Sequence, residues 1–314
     1  MRRPARPTGA QVAITIALVA LAWSWLALPY FGALGEIAAV AAPLGVVGVL
    51  LAHALSLLVR RRAIVAISMI AWLASATVMI ASPRMPTHFA TPRHPFLLVA
   101  ANLRFDNPFP SEAANTVVAR HADVVVLSEG TEPSEAVVAA AYPYHRQSRY
   151  EGKNYSEFVA SRFPLRPLAV PRELHQAVVV EVMAPTPFVL VAVHLPRAGI
   201  DLPHFHGEVS FAGQRHAIDA VTHLADTARL PIVIAGDLNV SDRSAAYRRL
   251  VAHRRDAMRT KFAGSTYDYF PWNLLLLRID HVTIDRSWCA ARPARFHPTG
   301  SDHQAVQVEI GACA

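Results

Sequence analysis

The run Ile232-Val233-Ile234-Ala235-Gly236-Asp237-Leu238-Asn239 decides how the rest of the chain is read. Four apolar, mostly β-branched residues are too few for a helix and suit a strand buried on both faces, and the strand stops on a glycine and an acid. The same grammar recurs. Leu97-Leu98-Val99-Ala100-Ala101 runs into Asn102, Val124-Val125-Val126-Leu127 into Ser128 and Glu129, and Val189-Leu190-Val191-Ala192-Val193 into His194. Strands are expected at 96–102, 124–128, 158–161, 177–182, 189–194, 232–235, 281–284 and 305–310, with helices at 111–121, 132–141, 214–229 and 244–252. This alternation marks an α/β domain over 96–314. Buried strands that each finish on a polar group line those groups along one rim of a sheet, where α/β proteins bind ligands. Each taken singly is readable as a satisfied polar cap; together they ask for a common explanation.

The rest of the composition sets the context. The 314 residues are 53% hydrophobic, and their mean hydropathy of +0.27 does not suit a wholly soluble chain. The formal charge is +7, from 30 Lys and Arg against 23 Asp and Glu. Eight of those bases and one acid, Glu36, precede residue 95, which leaves 22 bases against 22 acids in the remainder. A neutral domain disfavours a general nucleic-acid binder, whose affinity comes from clustered cations. Cys289 and Cys313 are too few for a disulfide framework and lack zinc or redox spacing, although they can pair in an oxidising compartment.

Three uncharged or nearly uncharged runs precede the domain, and each exceeds the roughly 20 residues that span a bilayer. Three transmembrane helices are expected in residues 1–82, near 11–31, 36–59 and 63–81, followed by a Pro-rich linker at 83–95 and the domain at 96–314. A cleavable signal peptide would explain only the first run, whose apolar core is longer than such a segment needs. Arg2, Arg3 and Arg6 precede the first run and Arg60, Arg61 and Arg62 join the second to the third. Both clusters stay cytoplasmic if the amino terminus is cytoplasmic, and three crossings then put the domain outside the cytoplasm.

Acids, amides and imidazoles without a cysteine among them suit an oxygen-preferring ion, Mg²⁺ or Mn²⁺. Such an ion polarises a phosphoryl group while histidines supply proton transfer, so phosphate-ester hydrolysis is the chemistry indicated. Over residues 95–310 the sequence resembles the endonuclease/exonuclease/phosphatase superfamily. Its motifs stand in order: Ala101-Asn102-Leu103-Arg104, Glu129 closing its strand, Ser161-Arg162-Phe163-Pro164, His194-Leu195-Pro196, Gly236-Asp237-Leu238-Asn239, Arg278-Ile279-Asp280-His281-Val282 and Ser301-Asp302-His303. The resemblance implies a DNase I-like two-sheet α/β sandwich flanked by helices. It implies Glu129 as principal metal ligand with Asn102 beside it and Asp302 facing the same ion. Asp237 would orient or deprotonate water, Asn239 would hold a phosphate oxygen, and His303, oriented by Asp280, would act on the phosphoryl group. His194 would bind phosphate or protonate the leaving oxygen. Either Asp237 or His303 is the base. The chain departs from the pattern at Ser128, where glutamine is common, and at Ser156 and Glu157, where glycine and an apolar residue are usual. These departures bear on the pocket wall around Asn154, Tyr155 and Arg162.

The expected partners are a lipid bilayer and a phosphate-ester substrate, lipid-linked or from the cell envelope. The apolar stretch 269–277 reads either as an exposed patch at the mouth of the site or, as is favoured, with Leu274 to Leu277 as a core strand leading into Ile279. The loop 197–213, with His204 and His206, is placed to cover the pocket. A nuclease is the alternative enzyme; Arg248, Arg249, Arg254, Arg255 and Arg259 would have to form its cationic patch. A catalytically dead receptor is the alternative of another class, and retention of every motif residue opposes it.

Overall fold

The computed structural model describes residues 32–58 and 62–314 apart from 150–151, 175, 198, 201–208, 211 and 269–271, together with isolated positions between 8 and 27. The chain divides into two compact units, one in the residues up to Arg84 and one comprising most of Met85–Ala314.

In the first unit α1 (Gly32–Val40) and α2 (Ala42–Leu58) meet at Ala41 with a bend of 79°. Pro43 is the cause: it brings no N–H, and its ring excludes the carbonyl four residues earlier. The third helix, α3 (Arg62–Ala76), continues through a π turn at Thr77–Ala81 and a 3₁₀ turn at Ser82–Arg84. Ile64–Arg84, 21 residues with a mean hydropathy of 2.2, is the one helix among the described residues long and apolar enough to cross a bilayer alone. Only 22% of its most apolar window is buried, whereas a core helix would be covered. The bent pair would add at most a second span. The expectation of three transmembrane helices is thereby corrected: the run at 36–59 is broken, and that at 11–31 lies largely outside the described residues.

In the second unit come β1 (Pro92–Asn102), α4 (Pro110–Val118), β2 (Val124–Thr131), α5 (Glu132–Ala141), β3 (Tyr144–Arg149), β4 (Tyr155–Ser161) and β5 (Leu165–Pro167). Next are β6 (Val178–Val182), β7 (Phe188–Ala192), the short β8 (Gly199–Ile200) and β9 (Val209–Ser210), α6 (Ala212–Thr227), β10 (Ile232–Asp237) and α7 (Ala245–Val251). Last are β11 (Arg254–Asp256), β12 (Asp280–Asp285), β13 (Trp288–Phe296) and β14 (Ala305–Cys313). One six-stranded sheet has the order β13-β14-β1-β2-β4-β3, the other β11-β12-β10-β7-β6-β5, and β8 pairs with β9 alone. The pairs β1–β2 and β7–β10 are parallel; the other pairings are antiparallel.

The sheets pack face to face around Leu98, Val126, Leu190, Val233, Ile284 and Val308, with Phe96, Phe188 and Trp288 in mutual ring contact. Each fully buried side chain of this kind contributes about 1.5–3 kcal/mol. On the outside, Ala113, Val117 and Val138 of α4 and α5 cover one sheet, and Ile218, Val221 and Leu250 of α6 and α7 cover the other. The strands therefore need apolar side chains on both faces, which is why they read as continuous apolar runs. The DNase I-like α/β sandwich is the observed fold.

Candidate active site

Strand alternation carries the inward face of the core straight up to a polar rim. Leu98 and Ala100 face the other sheet, and two residues on stands Asn102; Val124 and Val126 lead likewise to Ser128. In the second sheet Leu190 and Ala192 lead to His194, Val233 and Ala235 to Asp237, and Ile284 and Val282, counted down β12, to Asp280. Glu129 is out of phase and is turned inward by a bulge. Between Leu127↔Phe158 and Gly130↔Ser156, two residues of β2, Ser128 and Glu129, oppose only Glu157 of β4, and Glu129 takes the left-handed φ of 55°. Gly236, at φ 133°, lets β10 approach β7: a Cβ there would lie 2.2 Å from the Val193 carbonyl oxygen.

These residues meet. The Asn102 amide donates to Asp237 Oδ2 at 3.0 Å, and its Oδ1 accepts from the Arg104 N–H. Glu129 Oε2 accepts from the Phe105 N–H at 2.9 Å. His194 Nε2 lies 3.6 Å from Glu129 Oε1 and 3.7 Å from Asp237 Oδ2. His303 Nδ1 is 2.9 Å from Asp280 Oδ2, and its Nε2 is 3.8 Å from Asp237 Oδ2. Its backbone is pinned by Ser301 Oγ, which itself donates to the Asn102 carbonyl at 2.7 Å, while the Tyr267 ring closes on the imidazole at 4.9 Å. Thr266 Oγ1 accepts from the N–H groups of Ile279 and Asp280 and so fixes the start of β12.

Two expected residues are less central. Asn239, at φ 50°, donates its amide to the Leu195 carbonyl at 2.9 Å, and its N–H bonds Asp237 Oδ1. Asp302 is half-buried; its carbonyl accepts from the Asp268 N–H, and its charge raises the pKa of His303. Tyr155 stands at the rim, where burial and the Glu129 charge raise its phenol. Arg162 does not: β4 runs antiparallel to β2, so Arg162 lies one strand length, roughly 20 Å, below. The described part of the stretch 269–277, residues 272–277, is not a strand. It is a 3₁₀ turn at Trp272–Leu275 and an irregular segment, with Leu275 buried but Leu274 63% and Leu276 41% exposed. Residues 269–271 and most of the loop 197–213, including His204 and His206, lie outside the described residues.

Burial alone would lower the imidazole of His303, but the carboxylates of Asp280 and Asp237 overcome it, so its pKa is raised. Burial raises Asp280 against the pull of that same imidazole. His281, by contrast, is pushed down to about 4 by burial and the nearby Arg278; it bonds the Val240 carbonyl and is structural. The sequence offered no role for Glu157. Fully buried, it accepts from Ser128 Oγ at 3.2 Å, and Ser128 Oγ also lies 3.4 Å from the Asp237 N–H. Burial first, and the charges of Asp237 and Glu129 after it, raise Glu157 well above the carboxylate range. Counting back by two from Val159 on the inward face would have found it.

Four of the five arginines after the Gly-Asp-Leu-Asn motif are individually engaged. Arg249 pairs with Asp219, Arg254 with Asp226 at 2.7 Å, Arg255 lies over the Phe89 ring, and Arg259 donates to the Met85 carbonyl.

Three buried carboxylates on one rim call for positive charge. Asp237, Asp280 and His303 form one buried group that could bring ligand atoms within 4.8 Å of one another. In that group the His303 Nδ1 is already committed to Asp280. The oxygens of Glu129, with the second lone pair of Asn102 Oδ1, are hard donors that fit a divalent ion, and the Asp237 carboxylate adds negative charge beside them.

A profile of the Endonuclease/Exonuclease/phosphatase family matches residues 99–303, which brackets this whole rim. The chain belongs to that family. Among solved structures sharing the fold is an endonuclease/exonuclease/phosphatase from Beutenbergia cavernae: 20% identity, TM-score 0.55, covering 71% of this chain and 72% of that one. Danio rerio TDP2 complexed with a single-strand DNA product matches at 14% identity and TM-score 0.54, over 70% of this chain and 100% of that one. Sphingomyelinase C from Streptomyces griseocarneus matches at 16% identity and TM-score 0.50, over 69% and 99%. At these identities the likeness is one of fold. No curated protein matches the chain.

Proposed function

We propose that this family member is a membrane-anchored, divalent-metal-dependent phosphoric ester hydrolase whose substrate is a lipid-linked or cell-envelope phosphodiester or phosphomonoester outside the cytoplasm. The observation that carries the chemistry is the convergence of Asn102, Glu129, His194, Asp237, Asp280 and His303 on one rim. Glu129, with Asn102 and Asp302, would hold Mg²⁺ or Mn²⁺, which when bound would neutralise phosphoryl oxygens. Asp237 is placed to take the proton of the attacking water. His303, kept as an imidazolium by Asp280, donates to a phosphoryl oxygen and leaves the role of base to Asp237. His194 protonates the leaving oxygen, and Asn239 offers its remaining amide hydrogen to the phosphate.

Three features support the location. Ile64–Arg84 is long and apolar enough to anchor the domain. Arg60, Arg61 and Arg62 precede that helix, so its start is cytoplasmic and its end is not, however many segments lie before it. Cys289 and Cys313 are disulfide-bonded, a state that oxidising compartments maintain. Net neutrality from residue 95 onward, with Arg249, Arg254, Arg255 and Arg259 individually engaged, weighs against a nuclease.

The test is turnover by full-length protein in detergent with Mg²⁺, offered phospholipids and lipid-linked phosphates in parallel with single- and double-stranded nucleic acid. Glu129→Ala and His303→Ala serve as controls. Lipid hydrolysis lost in both variants is expected; hydrolysis of nucleic acid alone would overturn the substrate class, and wild-type-like turnover in either variant would remove the site. A reporter fused after residue 314 should behave as extracytoplasmic, and a cytoplasmic signal there would overturn the topology.

A further inference from the structure

Asp280 opens β12 of one sheet and His303 precedes β14 of the other, so strand pairing within a sheet does not set the distance between them. The short segment Thr266-Tyr267-Asp268, which belongs to neither six-stranded sheet and to none of the motifs, bonds to both. On one side it splints 302–304. Tyr267 pairs antiparallel with His303 as an isolated bridge, the Asp268 N–H donates to the Asp302 carbonyl at 2.9 Å, and the Gln304 N–H donates to the Thr266 carbonyl at 2.7 Å. On the other side it grips the start of β12. The Thr266 N–H donates to the Leu277 carbonyl at 2.8 Å, and Thr266 Oγ1 accepts from the N–H groups of Ile279 at 3.0 Å and Asp280 at 3.1 Å. A hydroxyl has two lone pairs and one hydrogen. With both lone pairs facing backbone donors, the hydrogen is left for an acceptor, and the Asp280 carboxylate is beside it. Burial raises that carboxyl, the His303 imidazole lowers it, and a hydrogen bond from Thr266 lowers it further. Thr266 is 1% exposed, so water is no ready substitute.

We propose that Thr266 is a positioning residue for the Asp280–His303 pair: its hydroxyl sets the rotation of the Asp280 carboxylate, and its carbonyl holds the backbone beside His303. Oδ2 of Asp280 thereby meets Nδ1 of His303, and Nε2 is left to face a phosphoryl group. The role in turnover rests on the reading of the rim as a phosphoric ester hydrolase; the geometry itself needs neither substrate nor metal.

The test therefore begins with NMR of the His303 Nδ1–H in metal-free full-length protein in detergent. A short charge-assisted hydrogen bond to a carboxylate moves this proton far downfield, and its absence in His303→Ala assigns it. Thr266→Ser, which keeps the hydroxyl, should leave the resonance in place. Thr266→Val, which keeps the shape and removes the hydroxyl, should shift it upfield or broaden it. That variant also leaves two buried N–H groups without their acceptor, so Thr266→Cys, a weaker donor and acceptor, serves if it does not fold and should give a smaller shift in the same direction. A residue that only holds the turn would lower the melting temperature and leave the resonance of folded molecules unmoved; that result, or equal shifts in the Ser and Cys variants, would overturn the proposal. With Mg²⁺ and bis(p-nitrophenyl) phosphate, Thr266→Val should lower kcat on the order of tenfold with KM within about twofold, and Thr266→Ser should restore it. A change confined to KM would assign Thr266 to binding and overturn the positioning role. A wild type that turns over no phosphate ester would refute the hydrolase reading instead, while the resonances would still decide the part played by Thr266.

Discussion

Replacing Cys289 and Cys313 together by alanine should lower the stability of the domain by about 3.5 kcal/mol at 25 °C. The figure follows from the 24-residue separation of the two cysteines: closing a loop of that length removes roughly 12 cal/mol/K from the unfolded chain. In a domain of more than two hundred residues each kcal/mol moves the midpoint by about 2–4 °C, so thermal unfolding should shift down by roughly 7–14 °C. The location of the bridge makes the loss local first. It ties β13, at one edge of its sheet, to the end of β14, and Cys289 follows Trp288, which is buried against Phe96 and Phe188. Near-ultraviolet circular dichroism of the full-length protein in detergent, oxidised, reduced and doubly substituted, would follow that aromatic cluster through the transition. Reduced and substituted protein should melt together, below the oxidised form. Coincidence of all three within about 2 °C would show that the bridge does not constrain the unfolded chain as chain entropy requires. Two titratable thiols in unreduced protein would show that the bridge is absent.

Asp280→Asn should reduce kcat/KM at neutral pH by at least on the order of a hundredfold, because the imidazole loses the charge that keeps it protonated. In the wild type kcat/KM should fall as pH drops through about 6, where Asp280 takes a proton; an unchanged acid limb in the variant would show that another group sets it. Glu157→Gln should stabilise the protein at neutral pH relative to wild type and not at pH 4. The folded carboxyl is raised above its unfolded value, so wild-type stability declines as pH rises past about 4.5 towards the folded pKa, and the amide removes that decline. Denaturation midpoints that run parallel across this range would contradict it. Gly236→Ala should cost roughly 3 kcal/mol or more, from a φ of 133° and a backbone collision with Val193, and should depress activity through Asp237; an unchanged urea midpoint would show the strand pair can part freely.

The eight strands expected from the sequence correspond to β1, β2, β4, β6, β7, β10, β12 and β14, all flanked on both sides within their sheets. Of the six missed, β3, β5, β11 and β13 are the edges of the two six-stranded sheets, and β8 and β9 are two-residue strands that pair only with each other. The reason is physical: an interior strand between helix and opposing sheet is apolar on both faces. An edge such as Tyr144-His145-Arg146-Gln147-Ser148-Arg149 is solvated, and β13 carries Arg292, Pro293 and Arg295. The rim was legible because its residues terminate interior strands. Ser128 and Glu157 were visible only as departures from a family pattern; that they are opposed across one bulge depends on a register the sequence does not display. In the apolar region, length alone was the wrong criterion, since Pro43 interrupts a run that composition counts as continuous.

The strand that follows the apolar N-terminal region, β1, lies between β2, the next strand made, and β14, the last. Everything belonging to the second sheet is inserted between those neighbours in sequence. A chain emerging amino-end first therefore cannot close its first sheet until the whole domain has left the ribosome. Until then β1 presents an open edge, with Leu98 and Ala100 uncovered. Folding of this protein should accordingly depend on whatever shields that edge during synthesis, and slowing the final segment should expose the chain to proteolysis near its beginning rather than near its end.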